Sequence, residues 1–145
     1  MATGFQVVFD CADPDRVARF WAETLGYRIQ DPPDGFESWE AFLKAQGVPR
    51  SEWNSASAVV DPDGTGPRLF FQRVPERKSV KNRVHLDLNV GAGRAAPMEE
   101  RKGRVDAEAE RLAALGARVF RPGSVENDEY WIVMQDVEGN EFCIQ

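Results

Sequence analysis

Histidine is nearly missing from this chain: among 145 residues His85 stands alone, and cysteine occurs twice, as Cys11 and Cys143. A zinc site draws three or four donors mainly from His, Cys, Asp and Glu at set spacings. His85 with Cys143 gives at best two of these. Both cysteines lie in apolar runs, where the thiol behaves as a small hydrophobe, and no disulfide is expected. Also missing is any apolar run approaching the ~18 residues of a membrane span. Basic excess is absent too, since 24 acidic against 18 basic residues leave a net charge of -6, which disfavours nucleic acid and anionic membrane as partners. Met1-Ala2-Thr3-Gly4 leads into a strand pattern without a basic and apolar signal segment, so a cytoplasmic location is expected.

What is present is alternation. From Asn82 to Val90 apolar and polar residues alternate without a break, predicting a strand with Val84, Leu86, Leu88 and Val90 on one face and His85, Asp87 and Asn89 on the other. A slip of one residue would bury Asp87 and expose the aliphatic residues, so the face assignment is strongly constrained. Phe5 to Cys11 forms a similar run. Each run precedes a helical stretch, one closing at Leu25-Gly26-Tyr27 and the other at Leu115-Gly116-Ala117. Each half then ends in strands around an acidic glycine turn, Asp61-Pro62-Asp63-Gly64 and Asp136-Val137-Glu138-Gly139. The chain therefore reads as a single domain, 1–145, holding two copies of one unit, about 1–75 and about 82–145.

Asp13-Pro14-Asp15 is a strong helix start, because an aspartate caps orphan amides and proline suits the first helical position. Val17, Trp21 and Leu25 then form an apolar stripe, and Gly26 supplies a left-handed stop. From Asp31 to Asn54 the first half carries an insertion that the second lacks. Ser38 is placed to cap a short helix with Trp39, Phe42 and Leu43 on one side. Trp39 and Trp53 in this insertion are expected to form a lid over a pocket, the plainer alternative being a plug for the end of a sheet. The basic stretch Arg73 to Arg83 reads as a solvated linker, and Gly91 to Gly103 as a glycine-rich, charged connection to which no element is assigned. In the second helix Val105, Ala109, Leu112 and Leu115 form the apolar side.

Asp10-Cys11-Ala12-Asp13-Pro14 leading into Phe20-Trp21-Ala22 and Leu25-Gly26-Tyr27, together with Val84-His85-Leu86-Asp87-Leu88 and Asp136-Val137-Glu138-Gly139-Asn140-Glu141-Phe142-Cys143, resembles the glyoxalase/bleomycin-resistance/dioxygenase family, the vicinal oxygen chelate superfamily, in its glyoxalase-like branch. The resemblance covers the whole chain. It implies an α+β fold in which two βαβββ repeats form a curved, incomplete mixed β-barrel around a central cleft that holds the ligand. It also implies homodimers, and, in metal-dependent members, four ligand positions on the first and last strands of the two units. Those positions fall here on Val8, His85, Phe70 and Cys143, of which only His85 is a usual imidazole or carboxylate ligand, so a resident metal is disfavoured and no cofactor is expected. Asp10, Asp87 and Glu141 could serve a harder ion.

Strand parity adds Gln6, Asp10, Arg68 and Gln72 to the same face as Phe70, giving a mixed polar and apolar surface suited to a small organic ligand. The expected ligand-binding residues are Asp10, Trp39, Trp53, Phe70, Gln72, His85, Trp131, Glu141 and Cys143. His85 beside Asp87 is the candidate acid/base pair, set against a purely structural imidazole. The leading expectation is a metal-independent, glyoxalase-like small-molecule-binding protein. Its alternatives are a metal-dependent lyase, isomerase or dioxygenase, a metal-free acid/base enzyme using His85, and a dimerisation module.

Overall fold

The structure, a computed structural model, describes residues 1–145. They divide into two compact units, Met1–Arg77 and Lys78–Gln145. In the first unit β1 (Val7–Cys11), α1 (Pro14–Leu25) and β2 (Arg28–Ile29) precede α2 (Trp39–Ala45), β3 (Ala56–Val60) and β4 (Leu69–Arg73). The second runs β5 (Asp87–Leu88), α3 (Met98–Ala114), β6 (Arg118–Glu126), β7 (Glu129–Gln135) and β8 (Glu141–Ile144). The sheet orders are β1-β4-β3-β2 and β5-β8-β7-β6, with the outer pairs β1–β4 and β5–β8 parallel and the remaining pairs antiparallel. The expected α+β fold of two βαβββ repeats is thus observed, as two four-stranded mixed sheets that do not close into a barrel.

Helix α1 forms where its caps require. The Asp13 carboxylate accepts from the Arg16 amide at 3.2 Å, Pro14 occupies the first turn, and Gly26 closes the helix at a φ of 69°. Its buried stripe comprises Val17, Ala18, Phe20 and Trp21. Trp21 meets Phe9 of β1 at 5.2 Å and Phe20 edge-on at 5.5 Å, and Phe9 stacks on Phe71 of β4 at 5.1 Å. Phe9, Cys11, Leu69 and Phe71 therefore lie under the helix, which turns Val8, Asp10, Phe70 and Gln72 to the opposite face. The insertion also follows its sequence signals. Ser38 accepts from the Ala41 amide at 3.0 Å to start α2, and the chain turns at Gly47, whose φ is 73°.

In the second unit α3 begins at Met98, so the connection to which the sequence assigned no element is helical over its last part, up to Gly103 and beyond. Glu99 and Glu100 in its first turn favour that start through the helix dipole. Val105, Ala109 and Leu112 are buried on this helix, as Phe142 and Ile144 are on β8. The run Asn82–Val90 supplies only a two-residue strand, and Val84, expected on the apolar face, is 82% exposed. The reason is Glu141. Its carboxylate, 5% exposed, accepts from the Asn82 amide at 3.0 Å and pairs with Lys78 at 3.0 Å. This anchors residues 78–82 to the start of β8, and regular pairing begins only at Asp87. Strand β6 is exposed along its length, and Pro122, Arg118 and Arg121 with two register shifts discourage further pairing.

Burial pushes the Glu141 carboxyl up, yet the Asn82 amide and Lys78 together outweigh it and hold the group below its ordinary 4.5. A carboxyl lowered by folding contributes its full stability above the unfolded value and loses it as pH falls through the folded one. The melting-temperature gap between wild type and Glu141→Gln is therefore expected to be widest at neutral pH and to narrow as pH drops below 4.5. Thermal scans across that range check this, and parallel curves would contradict it.

Candidate functional site

Two constellations stand out, one in each unit. In the first, a cavity of about 550 Å³ lies between the insertion and the Ala58 and Phe70 side of β3 and β4, with Asp15 and Arg19 of α1 also on its wall. Trp39, Leu43 and Trp53 line it from the insertion, and Ile29, Ala58 and Phe70 from the sheet. Each indole is fixed at its polar edge, since Trp39 Nε1 donates to the Gln30 carbonyl at 2.7 Å and Trp53 Nε1 to the Val48 carbonyl at 3.0 Å. The Trp39 ring also meets Phe42 at 5.9 Å, and the Arg50 guanidinium lies 5.6 Å from the centre of the Trp53 ring; the remaining ring surface offers apolar contact. Asn54 ties the end of the insertion to α1. Its Nδ2 donates to Asp13 at 2.8 Å and its Oδ1 accepts from the Asp15 amide at 2.9 Å.

Polar groups enter the same cavity. Arg68 donates from Nε to Gln30 Oε1 at 2.7 Å and from Nη1 to Gln6 Oε1 at 2.8 Å, with its guanidinium 5.2 Å from the centre of the Phe70 ring. Asp10 and Gln72 share the outward face of β1 and β4 and bond each other, Gln72 Nε2 donating to Asp10 Oδ1 at 2.7 Å.

The second constellation joins His85, Asp87 and Cys143, whose donor atoms all lie within 4.8 Å of one another. His85 Nε2 stands 3.3 Å from Asp87 Oδ1, so these side chains lean together across the two-residue spacing. The parallel register places Asp87 opposite Cys143, whereas in the first unit Val8 stands opposite Phe70. The carboxylate facing the cysteine is therefore Asp87, a partner that the four family positions leave out. The Cys143 thiol donates to Asp87, and burial followed by that carboxylate pushes it up to about 11. It is a poor nucleophile in this state.

Of the residues expected to bind ligand, Trp39, Trp53 and Phe70 line the first cavity. His85, Asp87 and Cys143 form the second cluster. Asp10 and Gln72 pair with each other, and Glu141 is engaged by Lys78 and Asn82. Trp131 lies half-buried on β7, paired with Ser124 of β6. Sequence reasoning missed Ile29, Gln30 and Asn54 because they sit at element ends, where no periodicity marks a face.

A model of the glyoxalase-like domain family matches residues 6–145. The chain belongs to the glyoxalase-like domain family. No curated protein matches it. Among solved structures it is similar to a glyoxalase/bleomycin resistance protein/dioxygenase family enzyme from Burkholderia phytofirmans PsJN, at 15% identity over 96% of this chain and 94% of that one, with a TM-score of 0.60. The fosfomycin resistance protein FosX from Mesorhizobium loti is similar at 14% identity over 100% and 92%, TM-score 0.60. A FosX variant from Listeria monocytogenes, solved with Mn(II) and 1S,2S-dihydroxypropylphosphonic acid, is similar at 14% over 100% and 90%, TM-score 0.60. At these identities the likeness shows the fold alone. No helix of this protein is long and apolar enough to cross a membrane.

The divalent metal suggested by the resemblance can be tested against these residues. Imidazole, carboxylate and thiolate are all donors that zinc accepts, and a catalytic site needs three. Donors around one tetrahedral ion are separated by roughly 3.3–3.8 Å, from bond lengths near 2.0–2.3 Å. The His85–Asp87 separation meets that spacing, but the 4.8 Å span of the cluster does not without side-chain rotation, and Cys143 would have to lose its proton. At the corresponding strand face of the first unit, Val8 and Phe70 offer no donor. The fit is partial.

With its thiol held up, Cys143 carries on the order of a hundred-fold less thiolate than a free cysteine at about pH 8. Iodoacetamide is expected to alkylate it correspondingly slowly, and Asp87→Asn to speed the reaction, as followed by mass spectrometry of the intact protein. Rapid labelling of Cys143 in the wild type would contradict this.

Proposed function

We propose that this is a glyoxalase-like small-molecule-binding protein whose ligand occupies the cavity of the first unit and whose binding step needs no metal. The observation that carries this reading is the pairing of an aromatic roof with an apolar floor, Trp39 and Trp53 over Phe70 and Ala58, around about 550 Å³. That volume falls within the roughly 300–1,000 Å³ typical of small-ligand pockets, which combine apolar walls with a few placed polar groups. A flat ligand entering here exchanges water on both of its faces for ring contacts, the main favourable term for such molecules. Because Asn54 bonds to the first turn of α1, the roof is held in place over the sheet and needs little ordering when ligand binds.

A second reading, a metal-dependent enzyme, is favoured by one observation, the convergence of His85, Asp87 and Cys143. In that case these three residues would hold the ion, which would polarise an oxygen of the substrate. Without a metal, His85 beside Asp87 would be the acid/base pair, with the carboxylate orienting the imidazole.

The two readings separate in one experiment on protein purified without an affinity tag. A neutral aromatic probe, 1-naphthamide, followed by tryptophan fluorescence, is expected to bind equally well before and after EDTA dialysis. Its affinity should fall about ten-fold in Trp39→Ala, the loss expected from one stacked aromatic wall. Binding abolished by EDTA, together with about one equivalent of Zn, Ni, Fe or Mn that disappears in His85→Ala, would establish the metal reading instead.

A further inference from the structure

The first-unit cavity has one cation that the fold leaves without an acid. Asp15 pairs with Arg19 at 3.0 Å and Glu52 with Arg73 at 2.9 Å, which accounts for two of the carboxylates on its walls. Glu40, the third, lies exposed in the first turn of α2. Arg68 forms no ion pair. Its two hydrogen bonds go to the neutral amide oxygens of Gln30 and Gln6, and Nη2 donates to nothing in the protein. Neutral partners orient a guanidinium without cancelling its charge, and the Phe70 ring covers one of its faces. The group is thus held half-buried on the wall of an aromatic cavity, with donors unused and its full charge available.

We infer that the cavity recognises a flat aromatic molecule bearing an anionic group, with the anion, a carboxylate or similar oxyanion, received by Arg68 and the ring placed between Trp39 and Phe70. This rests on the small-molecule reading of the same cavity and adds the ligand's charge. Gln30 connects the two halves of the recognition. Its side-chain oxygen steadies Arg68 while its backbone carbonyl holds the Trp39 indole, so the receptor for the anion and one wall for the ring are set by a single residue. Were Arg68 only a brace between β4 and its neighbours, a neutral ligand and an anionic one of the same shape would bind alike.

Calorimetric titration of the full chain with 1-naphthoate and 1-naphthamide, which match in shape and differ in charge, tests this. In the wild type the naphthoate is expected to bind about ten-fold more tightly, as one charge-assisted hydrogen bond gives. Arg68→Met should erase that preference, so that the two probes bind within about two-fold of each other, far less than a ten-fold step. Gln30→Glu, which keeps the side chain's size and sets a carboxylate against Arg68 Nε, should erase it too, so the inference stays testable if Arg68→Met fails to fold. Equal binding of both probes by the wild type, or a preference that survives these substitutions, would overturn the anion assignment while leaving the cavity reading intact. Binding of neither probe would overturn both.

Discussion

Everything in the first unit depends on how α1 sits on its sheet. Trp21 is 1% exposed and in contact with Phe9 and Phe20, while Phe9 stacks on Phe71. Burying this cluster stabilises the unit by several kcal/mol, since a large aromatic contributes roughly 1.5–3 kcal/mol. Its second effect is directional. Because side chains alternate along a strand, committing Phe9, Leu69 and Phe71 to the helix commits Val8, Phe70 and Arg68 to the other face, and a one-residue slip would exchange the sets. The cavity floor is thus a consequence of core packing on the opposite side.

The same logic explains which parts of the protein were legible in its sequence. Helix α1 could be read residue by residue because its cap, proline, stripe and terminal glycine all agree, and agreement across levels is what makes a local pattern reliable. The insertion was legible for the same reason, through Ser38 and the shared side of Trp39 and Leu43. The stretch before β5 misled because alternation reports a strand only where a neighbour supplies hydrogen bonds. Residues 78–82 instead bond to the Glu141 side chain, a tertiary contact that no local pattern reveals. The start of α3 was hidden by Gly103, which lowers helix propensity, while tertiary packing of Val105 and Leu112 carries the helix through it.

At the candidate sites, residue types were legible and partnerships were not. Sequence singled out Trp39, Trp53 and Phe70, which line the cavity, but not Gln30, whose side chain and carbonyl serve two different neighbours at the end of β2. It likewise placed His85, Asp87 and Cys143 on one face. The register that sets Asp87 against Cys143 decides whether the thiol is a ligand, a nucleophile or a hydrogen-bond donor, and only the folded pairing fixes it. The two units repeat one topology yet carry different chemistry, an aromatic cavity with one guanidinium outside any ion pair, that of Arg68, in one and an imidazole, carboxylate and thiol cluster in the other. Fold and function are separable in this way because side chains on the open face of a sheet vary without disturbing the core beneath.

Binding of ligand in the aromatic cavity of the first unit can be followed through the chain's four tryptophans. Each gives one indole N–H resonance in a nitrogen-edited proton spectrum, and single Trp→Phe substitutions assign them. On titration with 1-naphthoate the resonances of Trp39 and Trp53 are expected to move together to saturation, while those of Trp21, sealed under α1, and Trp131, on β7 of the second unit, stay in place. Movement of Trp131 with Trp39 and Trp53 unchanged would contradict binding in that cavity.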